Sequence, residues 1–390
     1  MLSSIEYILL CMYIITVSYL ITFRIGLRKK NPITKINKFD NKRSSSEKEI
    51  YIVLPIYHER DSIITSCMES ICRQEGIKIN IIVVIREPEE SQLSLIKHYA
   101  KRVKSLRIIR QKKGQSEVSA YKEALYFVKT EYVCMLNIDA IIFKGSLREL
   151  FFGILNEKSD VGFGLRFPKT TTNFGKFAAL DKIFRQLLLQ KGRGAIGMGY
   201  YIPGSFYIIK KRILLEGMND GYTYDFGLAL RLYAKKDTKF TIIPEPLSTE
   251  LEKSSFKSWC LQYSRWTLGE IGLGSIYIRF FKEAKTKVKV GFAGVLWLWY
   301  AMPLSTFLGF WIALLTHNIY KPFIFIYLIY YLFMVLILIS LPETRKYGKI
   351  YIFSHWLLSS LVKSIGMFLS IYAYIIKKYR SKDTYRIYAR

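Results

Sequence analysis

Acidic residues are scarce in this chain: 30 Asp and Glu stand against 59 Lys and Arg, a formal charge of +29 on 390 residues. Such an imbalance calls for an anionic partner, either polyphosphate or a lipid surface. Cysteine is scarce too, and Cys11, Cys67, Cys72, Cys134 and Cys260 are odd in number and scattered, which excludes a paired disulfide framework. Cys67 and Cys72 lack a second ligand pair, so they read as buried filler rather than a metal site. Among the 4 histidines, His58 reads as a surface loop residue, with contact to a phosphate as the lesser alternative, while His98, His317 and His355 have no obvious partners. There is no internal repeat and no extended low-complexity tract. A cleavable secretory signal is not expected either. Residues 7–23 are uncharged, and the positive charges Arg24, Arg28, Lys29 and Lys30 follow them instead of preceding them.

What the chain does have is apolar sequence piled up at both ends. Residues 7–23 are about long enough to cross a bilayer core and predict an uncleaved anchor over 1–24 with its positive flank cytoplasmic. Residues 290–316 and 323–341 are uncharged and long enough to span, with Pro303 placed to kink the first. Residues 350–376 contain Lys363 and His355, and read as one span, a re-entrant segment, or an interfacial helix followed by a shorter span. An even number of C-terminal crossings would keep the basic tail, 379–390, on the cytoplasmic side. With the chain at a membrane, anionic lipid headgroups explain the positive charge better than nucleic acid does, at about 1 kcal/mol per juxtamembrane Lys or Arg.

The middle of the chain follows a different pattern. After a polar, lysine-rich linker over 25–48, short β-rich runs at 51–54, 79–85, 106–109, 132–136 and 160–164 alternate with amphipathic stretches at 62–73, 90–102, 116–129 and 146–155. That alternation predicts an α/β domain over 49–250 built on a largely parallel, Rossmann-like sheet covered by helices. Ligands of such sheets bind beyond the carboxyl ends of the strands. Pro55-Ile56-Tyr57-His58-Glu59 and Asn137-Ile138-Asp139 both follow expected strands, so two polar clusters converge on one edge, where a nucleotide site is expected.

Three groups there carry candidate chemistry. Asn137 and Asp139 offer oxygen ligands suited to Mg²⁺ or Mn²⁺, or Asp139 merely caps its loop. Asp225 opens a helix, either as a charge complementing the helix dipole or as a general base. Gln262, Arg265 and Trp266 share one helix face, suited to pairing a diphosphate and stacking on a sugar, or to lying at headgroup depth as an interfacial helix over 251–289.

Taken in order, Pro55-x-Tyr57-x-Glu59, Asn137-x-Asp139, Pro203-Gly204-Ser205, Thr223-x-Asp225 and Gln262-x-x-Arg265-Trp266 resemble the membrane-bound family 2 glycosyltransferases with a GT-A fold. That group includes cellulose, chitin and hyaluronan synthases and, more distantly, ceramide glucosyltransferases. The resemblance covers roughly residues 48–275 and the flanking spans, 290–378 among them. It implies an inverting sugar transfer from a nucleotide-diphosphate donor, with a UDP-sugar expected, to a glycan or lipid acceptor at the cytoplasmic face of a cell membrane crossed several times. Pro55, Tyr57, Glu59, Glu87, Asn137 and Asp139 would hold the donor, Asp139 the metal, and Asp225 would act as the base. Gly204, Ser205, Gln262, Arg265 and Trp266 would line the acceptor and diphosphate side. The chain departs from the family where Asn137 replaces the first aspartate of D-x-D, Tyr224 the glutamate of T-E-D, and Arg86-Glu87 a base-contacting aspartate. Lys113-Gly114-Gln115 lacks the usual lysine after glycine. Those departures leave a competing class, a scaffold or transporter component that binds a nucleotide sugar without turning it over.

Overall fold

The computed structural model describes residues 4–28, 49–57, 59–111, 117–218, 224–235, 238–315 and 321–379. His58, Lys113-Gly114-Gln115, Thr223, His317, the linker beyond Arg28 and the tail beyond Tyr379 lie outside the described residues.

Eight strands form one sheet. They are β1 (Glu49–Tyr57), β2 (Lys78–Arg86), β3 (Ser105–Gln111), β4 (Tyr132–Leu136), β5 (Ala140–Ile142), β6 (Val161–Lys169), β7 (Phe206–Lys210) and β8 (Phe240–Leu251). Their spatial order is β3-β2-β1-β4-β7-β6-β8-β5. The first four are mutually parallel. They are near-continuous Ile and Val runs because helices bury both faces of a parallel sheet. All five expected strands are present, and the four expected helices lie at Asp61–Cys72, Glu90–His98, Glu117–Tyr126 and Ser146–Glu157.

The second half of the sheet departs from the largely parallel expectation. β7 runs antiparallel to both β4 and β6, and β5 runs antiparallel to β8. β7 is five residues long and follows a helical insertion, Gly175–Phe184 continued by a wide-turned stretch Arg185–Gly192, so no strand-helix alternation announces it.

One face of the sheet packs Ile52, Leu54, Ile64, Leu93 and Leu150 into a closed layer. The other face does not end at the domain: Val53, Tyr121 and Leu228 belong to the same buried cluster as Leu298, Val335 and Trp356 of the C-terminal helices. Among the described residues three helices are long and apolar enough to cross a membrane, Tyr7–Arg28, Thr286–Gly309 and Lys349–Ile376, beside a shorter apolar helix Tyr327–Ile339. The N-terminal helix is tied to the C-terminal ones by Trp297 Nε1 donating to Thr16 Oγ1 at 2.9 Å, and by Arg24 donating to the Ser340 carbonyl at 2.9 Å.

The stretch that contains Lys363 is one unbroken helix, Lys349–Tyr379. Lys363 faces protein, not solvent or lipid: its Nζ lies 2.7 Å from Asp181, a fully buried residue of the helix Gly175–Phe184. Arg185 pairs with the same carboxylate at 2.9 Å, Ser359 donates to it at 3.1 Å, and Tyr263 donates from the helix Phe256–Ile271. Against the opposing cost of burial, Lys363 and then Arg185 hold Asp181 well below the ordinary carboxylate range. Removing one partner of a buried pair leaves an uncompensated charge, so Lys363→Ala is expected to cost about 3–5 kcal/mol, read as a lowered unfolding midpoint of the detergent-solubilised protein. An unchanged midpoint would show that the pair does not hold this helix in place.

Candidate active site

The antiparallel pairing of β4 with β7 decides where the site lies. Leu136 is opposite Phe206, so the residues just past β4 meet those just before β7, and the Asn137 N–H donates to the Ser205 carbonyl at 2.8 Å. Asn137-Ile138-Asp139 therefore lies against Pro203-Gly204-Ser205. A turn closed by the Ala140 N–H on the Asn137 carbonyl at 3.1 Å leaves Asp139 exposed at the cleft, with protein on its remaining sides.

Ala140 is also opposite Glu250 in the ladder between β5 and β8, which sets a second carboxylate beside Asp139. Glu250 is fully engaged. Arg166 donates to it at 2.8 Å and to Ser205 Oγ at 2.7 Å, while Lys182 bonds both Glu250 and Glu252, the latter at 2.6 Å. Against the cost of burial, Arg166 and Lys182 hold Glu250 well below the usual carboxylate range.

Asp139 moves the opposite way. Desolvation first and the charge of Glu250 second raise its carboxyl above the ordinary range, although Lys182, Lys253 and Arg166 pull it down. Glu59 is raised by desolvation and then by Asp139, against Lys253 and Arg60. Two carboxylates that resist ionising side by side form a place where a cation is favoured. Asp139 and the Asn137 amide are oxygen donors of the kind a hard divalent ion takes. The described residues hold no group of three or more His, Cys, Asp or Glu that would enclose such an ion. This donor set fits the usual way Mg²⁺ is held, by one or two carboxylates with substrate phosphates completing the shell.

Asp225 reaches the same rim. It lies in the first turn of the helix Tyr224–Ala234, where its Oδ1 accepts the Phe226 N–H at 2.9 Å. Its Oδ2 rests against Gly204, so that a Cβ added at Gly204 would stand 2.6 Å from that oxygen. Helix-start charge and cleft placement thus coexist in one side chain.

The remaining expected residues divide. Pro55 lies inside β1, opposite Val84, instead of beyond the strand, because its fixed φ is compatible with an extended backbone. Tyr57 ends β1 with the Arg86 guanidinium 4.9 Å over its ring, and the Glu59 carbonyl accepts from Gln92 at 2.8 Å. Glu87 is exposed past β2 with φ of 47°, a costly backbone for a non-glycine residue. It stands two strands away from the end of β4, roughly 10 Å by strand spacing. On the helix Phe256–Ile271, Arg265 is exposed and Gln262 half-buried. Trp266 has its ring 4.8 Å from the Arg185 guanidinium and edge-on to Tyr263 and Trp299. Arg166, Lys182, Glu250 and Lys253 are absent from the sequence-based set. Their signal was charge interrupting apolar runs, but the partners lie as far as 84 residues apart.

Residues 51–212 match the family model Glycosyl transferase family 2, and residues 142–341 match Glycosyl transferase family group 2. Among solved structures, the mannosyltransferase PcManGT from Pyrobaculum calidifontis, in complex with GDP-Man and Mn²⁺, superposes with a TM-score of 0.62 at 12% identity. The superposition covers 97% of this chain and 99% of that one, and at such identity it shows the GT-A fold alone. No curated protein matches the sequence.

Gly204→Ala tests the contact that sets Asp225. The added methyl is expected to displace the carboxylate and lower nucleotide-sugar turnover by up to about a hundredfold, the cost of a misplacement near 1 Å, with the unfolding midpoint little changed. Wild-type turnover in this variant would show that Asp225 does not depend on Gly204.

Proposed function

The chain belongs to glycosyl transferase family group 2, and from that premise we propose an inverting transfer of a sugar from a nucleotide-diphosphate donor to an acceptor hydroxyl at the cytoplasmic face of a membrane. The observation that carries this reading is the meeting of Asp225, Gly204, Ser205, Asn137 and Asp139 on one rim. In this reading Asp225 takes the proton of the acceptor hydroxyl as its oxygen attacks the anomeric carbon, and the bond to the diphosphate breaks on the opposite side. A single displacement inverts the centre. Mg²⁺ or Mn²⁺ held by Asp139, with the Asn137 amide beside it, would supply charge neutralisation for the departing diphosphate. Glu59 and Tyr57 at the end of β1 support the donor's nucleoside, which we take to be the uridine of a UDP-sugar. Arg265, exposed on its helix, is suited to the diphosphate.

A lipid-linked acceptor is favoured over a secreted polymer by one observation. An apolar cavity of about 380 Å³ lies between two of the apolar helices and is lined by Phe177, Phe307, Trp311, Leu357 and Leu361. Phe177 stands one helical turn before Asp181, so the cavity adjoins the catalytic domain from the apolar side.

Asp225→Asn is expected to lower transfer by roughly a hundredfold to ten-thousandfold at unchanged donor affinity, the range lost with a general base. Equal turnover in the two proteins would remove the base assignment. Labelled UDP- and GDP-sugars supplied with membrane lipid should give organic-extractable product, whereas insoluble high-mass glycan would favour the polymer reading.

A further inference from the structure

Glu270 lies one turn beyond Trp266 on the helix Phe256–Ile271 and is only 6% exposed. An acid buried there needs a partner. Tyr300 donates to Glu270 Oε2 at 2.5 Å. Tyr277, on the helix Gly274–Glu283, and Asp225 are the other titratable groups around it. The surrounding rings form one layer. Phe226, adjacent to Asp225, packs 6.3 Å from Tyr277 and 6.5 Å from Trp299, and Trp299 meets Trp266 at 6.1 Å. Leu273, just past the same helix, closes on Gly227.

We propose that Glu270 is a positioning residue for Asp225, holding it against Gly204 through this aromatic layer and adjusting its basicity through charge. The proposal rests on Asp225 as the base and adds the group that tunes it.

Burial, the largest influence, and the charge of Asp225 push the Glu270 carboxyl up to about 7, against the hydrogen bond of Tyr300. As pH rises, Glu270 ionises near neutrality. Once ionised, Glu270 strengthens the hold of Asp225 on a proton, which makes Asp225 a better base. Turnover is expected to climb through a limb centred near pH 7.

The test is the pH profile of kcat and of KM for the donor. Glu270→Gln keeps the shape and an acceptor for Tyr300 but removes the charge. The neutral limb should vanish, with kcat at alkaline pH lowered about threefold for each unit of basicity lost and donor KM unchanged. Tyr300→Phe keeps the ring and the charge but deletes a bond to the ionised form, so its limb should move to higher pH. Wild-type profiles in both variants would overturn the proposal. If Glu270→Gln does not fold, the direction of the Tyr300→Phe shift decides alone. Asp225→Asn keeps the two readings apart: lost turnover there with an unchanged Glu270→Gln profile removes only the role of Glu270.

Discussion

A carboxylate with no exposed surface must be paired, and Asp181 is paired by three parts of the chain that are remote in sequence. Arg185 comes from its own helical insertion, Tyr263 from the helix bearing Gln262, Arg265 and Trp266, and Lys363 from the C-terminal helix. Meeting that one requirement aligns the three segments. The C-terminal helix then lies close enough that a Cβ on Gly366 would stand 2.7 Å from Tyr263 Cβ, and Ser370 donates to the Ser264 carbonyl at 2.8 Å. Arg185 carries the alignment further by stacking on both Trp266 and Trp299. The helix bearing Gln262, Arg265 and Trp266 is thereby fixed from the apolar side.

The cleft is governed by an unequal division of cations. Arg166 and Lys182 keep Glu250 ionised, while desolvation first and the charge of Glu250 second hold Asp139 above its usual range. The result is a site with Asp139 at its opening above an ion-paired floor. Arg166 joins floor to rim, since it also holds the Ser205 hydroxyl next to Gly204 and hence next to Asp225. Charges fixed in this way need no rearrangement when charge develops on a reacting group, which is the usual source of electrostatic catalysis.

Local pattern was enough to read the first four parallel strands and their helices, because Ile and Val runs alternating with amphipathic stretches are a short-range signal. Motif order placed Asn137, Asp139, Gly204, Ser205 and Asp225 near one another, and the geometry agrees with that grouping. Pro55 was set one element too far along, since a proline compatible with extended backbone looks the same in a strand and after one. β7 and β5 were not legible: each is short, and its pairing partner is distant in sequence.

Composition and periodicity by themselves determined the apolar ends, the basic character and the α/β middle, since burial preference is written residue by residue. Only the tertiary structure decided what the isolated charges do. Lys363 interrupts an apolar helix, Glu250 an apolar strand and Glu270 an amphipathic helix, and in each case the sequence offers a buried charge without its partner. The partner is supplied by a segment tens to hundreds of residues away, and the pairing depends on register and distance, which no local window contains.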